Sequence, residues 1–369
     1  MRLVVVGAGI TGAACAYAAA GLGAEVILAD AGLPGQATAA GAGIICPWSP
    51  RERDPVWYRY GCAAERSYPG LIDELAQAGH GDVSYRRTGA LMLAGSTEQA
   101  GRDAAALVAA RADGATEIGE VQVLAPQQAV EAFPPLKEGT HAVLVSGAAR
   151  VDGRLLAAAL IRAAVRRGAV LRPGPAELTL AAGRVTGVRT ADETVGADAV
   201  VAAAGVWTGS FVRPAGAVVR VSPQRGQIAH ISVAPAGTSH WPVVLPGQSG
   251  HYLLAFDDSR VVAGATRETG SGFDPRVTAA GVREVMDEAL AVAPGLAAGT
   301  HLETRAGLRP VSADGLPLLG LVPGVAGLVV ATGLGASGLT LGPLTGTIAA
   351  RLALGLDPGA DIAAFSPVR

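Results

Sequence analysis

Hydrophobic positions along the chain fall into short blocks with two different periods. Residues 2–6 are a run of β-branched and aliphatic side chains, the pattern of a strand buried on both faces. Residues 10–22 are rich in alanine and free of proline and predict a helix; residues 25–29 predict a second buried strand. Strand, helix and parallel strand in that order make a right-handed βαβ crossover. Leu71, Ile72 and Leu75 at helical spacing predict a helix within 55–80, and 103–112 and 155–167 read the same way. From 184 to 222 the pattern becomes that of strands, at 184–189, 199–203 and 218–221. More strands follow across 228–266, including 252–255 and 260–263. Residues 278–292 return to a helix, 328–331 predict a last buried strand, and 345–354 a last helix.

A β-rich middle between two α/β ends predicts an α/β protein, α+β overall, with a discontinuous Rossmann-like nucleotide domain. Residues 1–80, 145–215 and 305–369 would form it. Residues 81–144 and 216–304 would form a second, β-sheet-rich substrate domain. The 369 residues suit two or three domains at ~150 residues each, or a fused pair around a shared ligand.

Composition narrows the function. Hydrophobic residues make up 50% and charged ones 16%, which excludes disorder as the main state. The 29 basic and 31 acidic residues nearly cancel, so there is no basic field for nucleic acid. Cys15, Cys46 and Cys62 are odd in number and lack metal-ligand spacing. Neither a disulfide framework nor a metal site is expected, and a cytoplasmic location fits. The apolar opening, 1–31, is broken by five glycines, and the apolar stretch 316–354 by Pro317, Pro323 and Pro343. No transmembrane segment is therefore expected.

The strongest motif is Gly7-Ala8-Gly9-Ile10-Thr11-Gly12, between the first strand and the first helix. Gly7 permits the tight turn, Gly9 admits a pyrophosphate against the backbone, and Gly12 lets helix and strand pack closely. The helix start then offers free N–H groups to phosphate. Asp30, followed by Ala31, ends the second strand, where a carboxylate can accept hydrogen bonds from a ribose diol. The motif alone serves NAD or FAD. Further along, Ala203-Ala204-Gly205-Val206-Trp207 closes a buried strand with small residues, which lets backbone approach a flat ligand. Gly333-Leu334-Gly335-Ala336-Ser337-Gly338-Leu339-Thr340 follows another strand and opens a helix, whose dipole would favour negative charge.

Taken in order, these segments resemble the D-amino-acid oxidase family of FAD enzymes, which includes glycine oxidase, sarcosine oxidase and D-amino-acid dehydrogenase relatives. The resemblance also covers Gly41-Ala42-Gly43-Ile44, Arg150-Val151-Asp152-Gly153, Pro223-Gln224-Arg225-Gly226-Gln227 and Val262-Ala263-Gly264-Ala265-Thr266. Its most telling piece is Ala306-Gly307-Leu308-Arg309-Pro310, followed by Asp314-Gly315-Leu316-Pro317. The resemblance implies non-covalent FAD, since no cysteine stands in the GLRP region. It places Asp30 on the adenosine ribose, Thr38 near the pyrophosphate, and Ala42, Gly43 and Ile44 along the isoalloxazine ring. Ala176 would meet the adenine, and Gly338, Leu339 and Thr340 the pyrimidine end of the flavin. Arg309 would grip a substrate carboxylate as a planar fork, supported by the Tyr252 hydroxyl. The bland readings stand beside these: Arg309 paired with a structural acid such as Asp314, and Tyr252 as core; Arg267, after the GAT turn, would reach the flavin face or lie on the surface. In a regular strand His251 points away from Tyr252.

The implied reaction is oxidation of the C–N bond of a D-amino acid, glycine or N-alkyl amino acid. Hydride passes to flavin N5, and the imine then hydrolyses. Oxygen or a quinone would accept the electrons. Ala336 stands where some relatives carry a charged or aromatic residue, so reaction with oxygen would be slower than in a dedicated oxidase. Alternatives are a dehydrogenase using a carrier, a 2-hydroxy-acid oxidoreductase, and an FAD-binding subunit of an amine-dehydrogenase complex. Assembly into a homo-oligomer is compatible with the sequence.

Overall fold

The computed structural model describes residues 1–48, 54–234, 237–247 and 249–369. Positions 49–53, 235, 236 and 248, which belong to the expected segments 1–80 and 216–304, lie outside it. The last three also interrupt the strand stretch 228–266.

Two sheets organise the chain. The first has six strands in the order Leu318–Leu321, Leu328–Thr332, Ala199–Ala202, Arg2–Val6, Glu25–Asp30 and Val170–Pro173. Only its first pair is antiparallel; the rest form a parallel, doubly covered sheet. Leu3, Val4, Val5, Val26 and Leu28 are buried, as their unbroken apolar runs predict. Helices Ile10–Gly21, Gly153–Arg166 and Gly338–Ala353 cover one face, and a meander of Glu177–Ala181, Arg184–Arg189 and Thr194–Gly196 covers the other. The helices meet through small residues. A Cβ on Gly346 would lie 2.7 Å from Cys15 N, so a larger side chain there would force the helices apart.

The second sheet has nine strands. Glu268–Thr269, Val221–Ser232, Arg260–Gly264, Tyr252–Ala255, Val243–Pro246, Ala90–Ala94, His141–Val145 and Val121–Leu124 run in that order. Thr300–Ser312 pairs with Val221–Ser232 along its whole length. That strand crosses residue 305, so the sheet continues past the expected boundary and carries Arg309 with it.

Local departures from the sequence reading have physical reasons. The strand expected at 218–221 begins only at Val221, because no neighbour pairs with the residues before it. The last helix starts at Gly338 and continues through Pro343. A proline there removes the bond to the carbonyl four residues earlier, Leu339. The buried Tyr68 hydroxyl donates to that carbonyl instead, so the helix runs on. The helix expected over 278–292 is Ala279–Val292, and Thr278 caps it through Gly281 N. Among the described residues no helix is long and apolar enough to cross a membrane.

Candidate active site

One cavity of about 950 Å³ lies between the two sheets, within the size range of small-molecule and cofactor sites. On the six-stranded side its wall begins at the glycine turn. Gly7 has φ +104°, a conformation that favours glycine, and a Cβ on Gly12 would overlap the Gly7 carbonyl. The first helix therefore starts against the turn itself, with the N–H groups of its first turn close to whatever lies there.

Asp30 ties this turn to the next loop. One carboxylate oxygen accepts from Ala8 N at 2.5 Å, the other from Gly32 N at 2.6 Å and Gln36 Nε2 at 3.0 Å. A carboxylate has about four acceptor positions, so with three in use it retains one, enough for a single hydroxyl of a diol. Thr38 Oγ1 accepts from Ile10 N at 3.0 Å, which leaves its own proton to donate. Gly43, at φ +102°, presses against Val151, whose N–H donates to the Gly43 carbonyl at 2.9 Å. Thr340 Oγ1 donates to the Ile44 carbonyl at 3.0 Å and Thr332 Oγ1 to the Gly205 carbonyl at 2.8 Å. These bonds clip the flavin-side segments of the sequence reading to one another.

Gly7, Gly9, Ile10, Thr11, Asp30, Ala31, Thr38 and Ala176 all line the cavity. So do Ala42, Gly43, Ile44, Ala203, Gly205, Trp207, Gly335, Gly338, Leu339 and Thr340, with Tyr252 and Arg309. Ala8 and Gly12 do not. Ala8 contributes its N–H to Asp30, and Gly12 contributes only its lack of a side chain. Glycines at the turn, a carboxylate at the strand end and a long cleft fit a bound dinucleotide.

On the nine-stranded side, Arg309 sits opposite Gln224 in the paired strands. Its Nη1 donates to the Thr266 carbonyl at 2.9 Å and lies 3.4 Å from Gln224 Oε1. No described carboxylate lies within ion-pair distance. Asp314 pairs with Arg369 at 2.6 Å, which removes the acid suggested as a structural partner for Arg309. Burial lowers the Arg309 pKa from its ordinary value, with the neighbouring Tyr252 phenol opposing. Burial raises the Tyr252 pKa, with the Arg309 charge opposing. Tyr252 therefore keeps its proton near neutral pH.

Glu268 is the nearest acid of note, and it is engaged. It accepts from Arg225 at 2.6 Å, Gln227 at 2.6 Å and Thr266 at 2.7 Å. Burial disfavours its charge, yet these bonds hold its pKa below the usual carboxylate range. His251 precedes the strand Tyr252–Ala255, so strand alternation does not govern it and it too lines the cavity. Its ring faces helix Ala279–Val292, with Nδ1 3.0 Å from Ser249 Oγ and Nε2 3.6 Å from Glu284. Burial lowers its pKa, with Glu288 and Glu284 opposing.

Leu93, Gln99, Asp103, Leu245 and Pro246 also line the cavity, and none was singled out from sequence. Leu245 and Pro246 reach Leu93 only through the pairing of two strands distant in sequence, and no local pattern marks these residues.

Comparison with known proteins agrees with this geometry. A family profile described as FAD dependent oxidoreductase matches residues 2–352. The crystal structure of iminodiacetate oxidase from Chelativorans sp. BNC1 superposes with a TM-score of 0.95 at 44% identity, covering 99% of both chains. An uncharacterized oxidoreductase, YurR, from Bacillus subtilis (strain 168) is 44% identical, over 99% of this chain and 98% of that one. Glycine oxidase from Pseudomonas putida (strain KT2440) is 30% identical over the same shares. The chain belongs to the D-amino-acid oxidase family of FAD-dependent oxidoreductases.

Proposed function

We propose that the protein oxidises the C–N bond of a glycine-like, D- or N-alkyl amino acid whose carboxylate is held by Arg309. The observation that carries this reading is the Arg309 guanidinium, which lines the cavity with bonds to the Thr266 carbonyl and, at 3.4 Å, to Gln224 Oε1, and with no described ion-pair partner. A buried guanidinium without an acid is matched by an anionic ligand. Glycine and iminodiacetate, named for the similar oxidases, both carry a carboxylate one carbon from nitrogen.

The turn at Gly7 and Gly9, Asp30, Thr38, the segment Ala42 to Ile44, and Gly338 to Thr340 would hold FAD. FAD, when bound, supplies a two-electron acceptor that takes up hydride. Arg309 and Tyr252 fix the carboxylate and so orient the α C–H bond toward the cavity interior. That bond gives up its electron pair with the hydrogen, while the nitrogen lone pair forms C=N and nitrogen loses a proton. Water adds to C=N, and the C–N bond then breaks to give an oxo acid and ammonia or an amine. No strong base is needed if the amine binds neutral. The cavity matches this, with Tyr252 held protonated and His251 turned toward Ser249 and Glu284.

The test is turnover of glycine, D-alanine, N-methylglycine and iminodiacetate, assayed with oxygen and with an artificial acceptor. Oxidation of 2-hydroxy acids with none of these amines consumed would overturn the reading. A second reading concerns only the acceptor. The segment Leu334 to Thr340 lines the cavity without a charged residue, which favours a quinone or carrier over oxygen. Rapid, saturating peroxide formation on air reoxidation would exclude it.

A further inference from the structure

The helix Gly338–Ala353 meets the cavity with its first turn, and one backbone bond is missing there. Gly338, Leu339 and Thr340 line the cavity, while Pro343 leaves the Leu339 carbonyl without its backbone donor. Tyr68, fully buried in the helix Pro55–Gln77, donates its hydroxyl to that carbonyl. Its ring stacks on Tyr85, with centroids 5.7 Å apart and planes 9° from parallel. Burial raises the pKa of the phenol, so it remains a donor at any working pH. The Leu339 side chain is gripped as well. A Cβ on Gly41 would lie 2.7 Å from its Cδ1, and one on Gly153 would lie 2.8 Å from both its Cδ atoms. The Leu339 carbonyl and the Thr340 N–H belong to one peptide group, so a hydrogen bond at the oxygen makes that N–H a stronger donor. The N–H groups of the first turn carry the positive end of the helix dipole, and Gly335 to Ser337, just ahead of them, line the cavity. Tyr60, eight residues before Tyr68, makes the contrast. It bonds the Thr345 hydroxyl at 2.9 Å, and Thr345 in turn donates to the Leu341 carbonyl, which Pro343 does not deprive of its donor.

We propose that Tyr68 is a positioning residue for the flavin: through the Leu339 carbonyl it fixes and polarises the first turn of the helix Gly338–Ala353, which favours the negative charge that flavin gains on reduction. This rests on the reading that Gly338 to Thr340 meet the flavin. It adds a residue outside the cavity lining that sets how readily the enzyme accepts electrons from its substrate. The effect falls on kcat rather than KM, because Arg309 belongs to the other sheet.

The reduction potential of the bound flavin, measured against a reference dye with no amine present, keeps the test apart from turnover. The visible flavin spectrum of each variant reports that it is folded and loaded. Tyr68→Phe should lower the potential, equivalent to about two- to tenfold weaker binding of reduced relative to oxidised FAD, the scale of a helix-terminus interaction. Pro343→Ala returns a backbone N–H to the Leu339 carbonyl, so in the Tyr68→Phe background it should bring the potential back to near the native value. Tyr60→Phe should leave the potential unchanged. With N-methylglycine, Tyr68→Phe should lower kcat and spare KM. A native potential in Tyr68→Phe overturns the inference. So does an equal shift in Tyr60→Phe, or a shift that Pro343→Ala does not repair, because lost packing would then be the cause. If Tyr68→Phe alone does not fold, the double variant decides: a native potential supports the inference and a lowered one overturns it. Gly338→Val tests the underlying placement, since a Cβ there meets open space in the cavity wall. FAD binding unchanged by Gly338→Val overturns the placement, and the inference with it. Weakened FAD binding beside an inert Tyr68→Phe leaves the placement standing and overturns the inference alone. Absence of amine turnover counts only against the functional reading.

Discussion

The Arg309 guanidinium rests on the backbone of Gly226, two residues along the paired strand from Gln224, its direct partner, with no room for a Cβ between them. In paired strands, alternate residues share a face, so Gly226 and Arg309 lie diagonally on the same one. Gly226 opposes Gly307 there. This patch of sheet is bare backbone, and the bareness lets a long cationic side chain lie flat toward the cavity.

It follows that Gly226→Ala should disable the clamp without touching the arginine. The added methyl must push Arg309 off the Thr266 carbonyl. KM for an amino-acid substrate should rise about ten- to a hundredfold, the scale for displacing a positioning group by an ångström. FAD content, read from the visible spectrum, should stay near that of the native enzyme. A normal KM would show that the arginine does not need this shelf.

At the other end of the cavity, Asp30→Ala should weaken FAD binding by about 1.5–3 kcal/mol, the worth of a hydrogen-bonded carboxylate. The side chain also accepts from Ala8, Gly32 and Gln36, so part of the loss reflects a looser turn. Asp30→Asn keeps one acceptor and should lose less. The apo fraction after purification and a fluorescence titration with FAD measure both.

Gly12 should be stricter than Asp30. A Cβ there overlaps the Gly7 carbonyl, which is backbone and cannot swing aside. Gly12→Val should give colourless protein that excess FAD does not rescue, whereas Asp30→Ala should be rescued by excess FAD. Full flavin content in Gly12→Val would contradict the packing described for the turn.

The nucleotide half was more legible in the sequence than the substrate half, and the reason is locality. Gly7, Gly9, Gly12 and Asp30 fall within one βαβ unit, so their spacing alone carries their relationship. Arg309 was legible only through the GLRP resemblance. Its placement depends on the Thr266 carbonyl and Gly226, residues forty to eighty positions away that only sheet pairing brings together. The helix through Pro343 was hidden for a similar reason: Tyr68, far upstream, repairs its broken bond.

The buried His230 gives a prediction for pH. Its Nδ1 is 3.0 Å from Arg260 Nη1, and its Nε2 has no hydrogen-bond partner. Burial, and then the charges of Arg305 and Arg260, push its pKa down to about 4 from 6.5; Glu303 opposes and Arg154 adds to the shift. The unfolded chain takes up this proton near pH 6.5 and the folded chain does not, so stability falls as pH drops from 6.5 toward 4. The contribution lost between pH 7 and pH 5 should be about 2 kcal/mol. Denaturant melts of the native protein and His230→Gln at both pH values should differ by that amount. Equal pH dependence in the two would show that His230 titrates normally.

The central claim is that Arg309 binds a carboxylate, and the direct measurement is kcat/KM of native, Arg309→Lys and Arg309→Ala enzyme on paired substrates with and without that group. N-methylglycine and dimethylamine form such a pair. For N-methylglycine, Arg309→Ala should cost about 2–5 kcal/mol, roughly thirty- to several-thousandfold, with FAD content near normal. Arg309→Lys should recover only part, because a point charge cannot reproduce two parallel N–H···O bonds. Dimethylamine should be a poor substrate for native enzyme and nearly indifferent to either substitution. If Arg309→Ala instead lowers kcat/KM for both substrates by the same factor, the arginine serves the fold or the flavin, and the carboxylate clamp does not exist.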